Sequence, residues 1–341
     1  MTASRVLAAA SVGFAVSAVT SWALSRSSAS LWPRDMPNQR SLHSVPTPRT
    51  GGLAVLAGLA AALLAARAFP GRAGLWISGA TVLLAAVSFA DDRRSLPVGL
   101  RLAAHALAAG AVVWGAGLAA PRVWLPVVGD LELGSLAAPL SFVGVLWLTN
   151  LYNFMDGMDG LAGAMTAIGG SCLGIALWRG GDEGGALVSF LLAAASAGFL
   201  IGNWPPARIF LGDVGAIPTG FLVSVLVLRA SATGALDPGA SCLVFAPFAV
   251  DATATLARRA LSGEPVWKPH RSHWYQRLVL AGLPQSRVLA LEIGCMVLCG
   301  ALALVWQRGA DGARSGIALL VGVLFLGLSR VVTRAEARAR R

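Results

Sequence analysis

The sequence predicts an all-α, polytopic integral membrane protein, and three observations carry that prediction. Of 341 residues, 56% are hydrophobic and only 13% charged, about half the charged share of a soluble globular chain. The apolar residues fall in long runs, giving a mean hydropathy of +0.70. The 27 basic residues, against 16 acidic, lie mostly in short segments between those runs. A disordered chain, a soluble α/β enzyme and a collagen-like chain are excluded. The net charge of +11 reads as topology control and binding of anionic lipid or phosphate, not of nucleic acid.

Apolar runs ended by charge, Pro or Gly place about eleven spans, at 6–25, 51–69, 75–90, 102–120, 139–152, 161–178, 186–202, 214–230, 240–257, 285–306 and 313–333. Residues 6–25 follow Arg5, but further spans come behind them and no convincing cleavage site is present. They read as a first transmembrane helix, not a signal peptide. No internal repeat and no soluble domain is visible, so residues 1–341 form one membrane-embedded domain. With the N-terminus outside and the C-terminus in the cytoplasm, the cytoplasmic segments hold 19 basic residues and the opposite side 8, as the positive-inside rule requires. Cys172, Cys242, Cys295 and Cys299 all fall in apolar segments and read as small buried hydrophobes.

On that topology the unusual polar clusters all face the cytoplasm. Asp91-Asp92 ends an apolar helix, where two carboxylates repel each other and meet the negative end of the helix dipole. The pair suits Mg²⁺ or phosphate chemistry, or a solvated helix end paired with Arg93 and Arg94. Asn153, Asp156 and Asp159 are spaced by three and share a helix face beside the bilayer core, where a cation and a phosphorylated substrate would satisfy them. Asp213, between Gly212 and Gly215, is a metal-ligand candidate or a helix cap. The loop from His43 to Gly52 is stiffened by proline, and Arg49 with the following glycine amides suits an anion. His270, Arg271, His273 and Arg277 read as a phosphate or pyrophosphate cradle, and Lys268 adds charge to the same loop. Asp251 faces the cytoplasmic cavity, whereas His105 and Glu292 read as interhelical hydrogen-bond partners.

The segments HSVPTPRTGG, SFADDRRSLP, NFMDGMDG, FLGDVG and PHRSHWYQRL occur in one order along the chain. This set resembles the polyprenyl-phosphate N-acetylhexosamine-1-phosphate transferases, the glycosyltransferase family 4 type that also holds the phospho-MurNAc-pentapeptide transferases. The resemblance covers about residues 40–330, and the last segment looks most like the O-antigen-initiating branch. Ala216 stands where many members have Ser, and the consecutive His triplet of the peptidoglycan branch is missing.

The resemblance implies a multi-pass enzyme of the bacterial inner membrane. It would transfer HexNAc-1-phosphate from a UDP-N-acetylhexosamine (GlcNAc, QuiNAc or FucNAc) to undecaprenyl phosphate and release UMP, initiating an O-antigen-like polysaccharide. It implies Mg²⁺, with Mn²⁺ as a substitute, held by Asn153 and Asp213. Asp91 deprotonates or positions the lipid phosphate, supported by Asp92, with Asp156 nearby. Arg49, Asp159, His270, Arg271 and His273 contact substrate. Membrane lipid is a further partner, and a homodimer stays open. Two rivals fit less well. D-x-x-D-G begins a CDP-alcohol phosphotransferase signature, but its continuation is missing after Gly163-Ala164. A transporter or lipid flippase would place its coupling carboxylates near midspan, whereas most here sit at helix ends.

Overall fold

The structure is a computed structural model that describes residues 2–27, 32–37, 42, 45–68, 70–125, 128–266 and 270–339. Each of the eleven apolar runs contains helix. The helices are α1 (Ala3–Arg26), α2 (Gly51–Ala65), α3 (Arg72–Arg94), α4 (Val98–Gly110), α5 (Ala137–Met155), α6 (Leu161–Arg179), α7 (Glu183–Asn203), α8 (Asp213–Ala232), α9 (Pro238–Val244), α10 (Ala246–Leu261), α11 (Trp274–Leu280), α12 (Gln285–Trp306) and α13 (Asp311–Ala339). Two short antiparallel pairs complete the described residues: β1 (Arg34–Asp35) with β2 (Thr47–Pro48), and β3 (Arg122–Leu125) with β4 (Gly129–Glu132).

The expected count of about eleven full spans needs correcting at two places. Among the described residues nine helices are long and apolar enough to cross a bilayer, α4 among them because a π-helical turn, Ala111–Gly115, continues it. The run at 240–257 is instead broken into α9 and α10, bent by 88°. Pro247 explains the break, because it lacks an N–H and its ring clashes with the carbonyl of Leu243 one turn earlier. The run at 51–69 gives only 15 residues of helix, about 22 Å long. It ends where Arg67 takes a positive φ of 52° ahead of Pro70.

The ends of the elements nevertheless alternate as eleven traverses do. The β1–β2 pair, the α3–α4 turn, the α5–α6 turn, the 204–212 loop and the segment before α11 gather at one end of the bundle. The other end is tied by contacts of its own: Trp124 stacks edge-on against Trp306 at 4.9 Å, and Arg229 forks onto Asp182. So α2 and the bent α9–α10 pair each carry the chain from end to end.

Helix α8 is the centre and is buried along nearly its whole length, while α3 and α13 keep most of their surface on the outside. Small residues let the inner helices approach closely, as in other membrane bundles. The α2–α8 crossing is the tightest case. A Cβ on Gly52 would fall 2.1 Å from Cα of Gly215, so this contact admits no side chain. It sets the start of α2 directly beside the start of α8. Of the cysteines, Cys295 and Cys299 are buried as expected, but Cys172 is half-buried and Cys242 is exposed, lining a cavity between α5, α8 and α9.

Candidate active site at one end of the bundle

Helix α8 begins at Asp213, after Gly212 in the left-handed region at φ 71°. The preceding strand of loop is held to the start of α2: Gly51 N–H donates to Phe210 O and Gly52 N–H to Leu211 O, both at 2.8 Å. Arg49, two residues before α2, is thereby placed over the N-terminus of α8. Its Nη2 donates to Asp92 Oδ1 and lies 3.7 Å from Asp213 Oδ1. The second oxygen of Asp92 accepts from Val214 N–H at 3.2 Å, where the positive end of the α8 dipole favours a carboxylate. The Asp92 side chain is fully buried.

Asp91 and Asp92 therefore part company. Asp91 turns back on its own connection, accepting from Leu96 N–H at 2.6 Å and from Arg101 Nη1 at 2.9 Å. This holds the α3–α4 turn, whose Ser95 takes a positive φ of 48°. Asp92 is the one that faces α8.

From the other side, α5 ends with Asn153 in its last turn and Asp156 as its C-cap. Asp156 lies near enough to Gly212 and Asp213 for both to act on its carboxyl, so the end of α5 meets the start of α8. Burial, then the charges of Asp213 and Asp92, push the Asp156 carboxyl well above the usual carboxylate range. Burial alone would lower the Arg49 guanidinium, but Asp92 and Asp213 outweigh it and raise it above its ordinary value. Asp92, Asp156 and Asp213 thus form an acidic cluster that Arg49 faces. Asp159 ties the α5–α6 turn to the 204–212 loop, its Oδ2 accepting from Ala207 N–H at 2.9 Å.

The 270–273 segment is held from behind by Asp251. Both of its carboxylate oxygens accept from Trp274 N–H at 2.9 Å, and it lies 3.3 Å from Nδ1 of His273. Asp251 thus anchors the start of α11, which is a different use from lining the cavity. His273 is buried and stacks on Tyr275 at 5.9 Å. His270 bonds to Ser272 Oγ at 3.0 Å through Nδ1. Burial, then the neighbouring His273, Arg259 and Arg258, push the His270 imidazole down to about 4. Arg271 is exposed and has no hydrogen-bond or ion-pair partner among the described residues. Arg277 leaves the expected cradle, since it forks onto Glu336 of α13 at 2.7 and 2.6 Å. His43 and Lys268 lie outside the described residues.

The structure therefore brings Arg49, Asp92, Asp156 and Asp213 together, with Asp91 beside them, and puts Asn153 in the last turn of α5 just before Asp156. Two structural residues escaped the sequence reading. Asn203, at the end of α7, accepts from Gly160 N–H at 2.9 Å and donates to Ile209 O at 2.8 Å, stitching the two site loops together. Arg101 is the partner of Asp91. The available signals were a polar residue closing an apolar helix before Pro205-Pro206, and a lone Arg one turn into an apolar helix.

A family model described as glycosyl transferase family 4 matches residues 75–231. A Streptomyces coelicolor protein named as a glycosyltransferase is 35% identical over 298 residues, covering 78% of this chain and 69% of its own. The decaprenyl-phosphate N-acetylglucosaminephosphotransferase of Mycolicibacterium smegmatis is 29% identical, over 84% of this chain and 79% of its own. The undecaprenyl-phosphate α-N-acetylglucosaminyl 1-phosphate transferase of Escherichia coli is 26% identical, over 75% and 72%. Identity at that level over most of both chains, joined to a multi-helix membrane architecture, leads to one statement: the chain belongs to glycosyl transferase family 4.

Proposed function

We propose that the protein is a polyprenyl-phosphate N-acetylhexosamine-1-phosphate transferase. It moves a HexNAc-1-phosphate unit from a UDP-sugar to undecaprenyl phosphate and releases UMP. The observation that carries this reading is the meeting of Arg49, Asp92, Asp156 and Asp213 at one end of a membrane bundle. An acceptor phosphate must attack the β-phosphorus of the donor, so two anionic groups have to be brought together where the acceptor's tail stays in lipid. Cationic groups fixed at that place offset the charge that develops. Arg49 and Arg271 are the guanidinium forks available for it, and neutral His270 is placed to meet a sugar hydroxyl or the pyrophosphate. Asp92 and Asp213 form the acidic floor. Asp91 is a positioning residue that holds the α3–α4 turn, and Asp159 holds the 204–212 loop.

A divalent cation fits this donor set. Among the described residues no three His, Cys, Asp or Glu side chains form a preformed metal group. Mg²⁺ does not require one, because it keeps several waters and takes one or two carboxylates plus substrate phosphates. Asp213 and Asn153, with Asp92 and Asp156 close by, would hold Mg²⁺ or Mn²⁺. When bound, the ion supplies neutralisation of pyrophosphate charge.

N-acetylglucosamine is the first donor to test, because the relatives' names specify it. QuiNAc and FucNAc follow, together with the initiation of an O-antigen-like polysaccharide. Purified protein given undecaprenyl phosphate, Mg²⁺ and a panel of UDP-HexNAc donors should release UMP with at least one of them. Release of UDP instead would make it a different transferase. We also place the site end in the cytoplasm of the bacterial inner membrane, on the 19-to-8 division of basic residues. In a background without the native cysteines, a cysteine at Gly181 should react with an impermeant reagent in intact cells, and one at Ser262 should not. The reverse pattern inverts the topology.

A further inference from the structure

Arg49 reaches Asp213, which would hold a divalent cation, and Asp92 close beside it. Its Nη2 is bonded to Asp92 and lies 3.7 Å from Asp213. The Asp92 side chain has no exposed surface and that of Asp213 is 21% exposed. A guanidinium and a metal ion draw on the same carboxylate lone pairs, and a guanidinium has only donors to offer. They compete for these oxygens.

The surroundings decide which part of Arg49 gives way. Its backbone is fixed, since its N–H donates to Pro33 O at 3.0 Å and its carbonyl packs on Gly212, where a Cβ would fall 2.2 Å away. Its side chain is 29% exposed, so it has an outward path. The other charges facing it are Asp156 at the end of α5, Asp35 on β1, and Asp91 with its partner Arg101 behind Asp213. An Arg fork matches phosphate as well as it matches carboxylate.

Resting on the metal-assisted reading above, we propose that Arg49 competes with the divalent cation for Asp92 and Asp213, and gives these oxygens up when a substrate phosphate offers its guanidinium a new partner. Cation and phosphate then bind with positive coupling. The cation alone binds weakly, because it must displace a guanidinium already bonded to Asp92. Both substrate phosphate and metal are recruited by one side chain changing partners, which keeps the buried carboxylates neutralised throughout.

The test is Mn²⁺ binding alone, followed by electron paramagnetic resonance on the full chain in detergent, with no nucleotide or lipid phosphate. Arg49→Gln removes the competitor, so Mn²⁺ should bind at least about tenfold more tightly than in the wild type, well inside the Coulomb limit for a charge this close. Arg49→Lys keeps a charge without the fork and should fall between the two. It also guards against a folding defect in the Gln variant. Unchanged or weaker Mn²⁺ affinity in Arg49→Gln, or wild-type affinity in a stably folded Arg49→Lys protein, overturns the inference. If none of the three proteins binds Mn²⁺ saturably, and donor turnover persists in EDTA, the metal-assisted reading beneath it is the part that fails.

Discussion

The two ends of the bundle treat charge in opposite ways. At the far end several polar groups are closed on one another. Arg229 forks onto Asp182, which also caps α7 by accepting from Gly185 N–H. The indole N–H groups of Trp124 and Trp306 donate to Asp311 and Asp237, and Gln307 bridges to Gly234 and Asp237. At the site end, Asp92, Asp156 and Asp213 crowd one another around the start of α8, and one guanidinium serves two of them. Paired and hydrogen-bonded charges hold structure, whereas like charges forced together cost stability and persist where a ligand compensates them. On the proposed function the far end is the clamp and the near end the workplace. Substitutions at the two ends should separate stability from turnover.

The largest effect belongs to Asp213→Asn. It keeps the size of the side chain and its capping capacity but removes a charged oxygen. The kcat/KM for donor should fall at least about 100-fold, about 2.7 kcal/mol of transition-state stabilisation, while thermal unfolding in detergent stays within a few degrees of wild type. Retention of more than about a tenth of the activity would make Asp213 a helix cap and erase the contrast between the ends. Gly52→Ala comes next, because its Cβ would collide with Gly215. Forcing α2 from α8 should cost about 1–3 kcal/mol of stability and, by separating Arg49 from Asp213, should reduce turnover more than an equally destabilising change at the far end does.

Asp182→Asn supplies that far-end reference. Its carboxylate is held below the usual range by the Arg229 hydrogen bonds, so its contribution is present at neutral pH and is lost as pH falls through its folded value. The variant should lose about 1–3 kcal/mol, read as a lower unfolding temperature at pH 7, with kcat unchanged. A matching loss of kcat would show that the ends are coupled. The smallest effect concerns His270. Pushed down to about 4, its imidazole is neutral at pH 7, and an anion beside it raises that value again. Donor binding should therefore take up protons, more at pH 5.5 than at pH 7.5. Calorimetry in buffers of different ionisation enthalpy measures this, and the uptake should vanish in His270→Gln.

Much of this contrast was legible in the chain, for reasons that differ by element. Long apolar runs and the loop placement of basic residues carry the membrane architecture because hydropathy and length act locally. The carboxylate motifs were visible because Asp beside a bilayer is costly and so stands out. What was not legible depended on direction. Nothing in Asp91-Asp92 says that one carboxylate turns back to Leu96 and Arg101 while the other reaches α8. The same holds for Arg277, which reads as a phosphate ligand in sequence and is spent on Glu336 some sixty residues later. Asp251, likewise, anchors Trp274. The break at Phe245 was missed in a run read as one span, although Pro247 lies within it, and its 88° bend is a tertiary outcome.

The central claim, that this site moves a sugar together with a phosphate, is tested most directly by the fate of the donor's β-phosphorus. Purified protein in nanodiscs containing undecaprenyl phosphate would be given Mg²⁺ and UDP-N-acetylglucosamine labelled with ³²P at the β position, with the other UDP-HexNAc donors labelled in the same way alongside. The account predicts that label enters the lipid fraction in step with UMP release, and that Asp213→Asn abolishes both. Label left in the aqueous phase as UDP while sugar reaches the lipid would contradict it, as would full transfer by the Asp213→Asn protein.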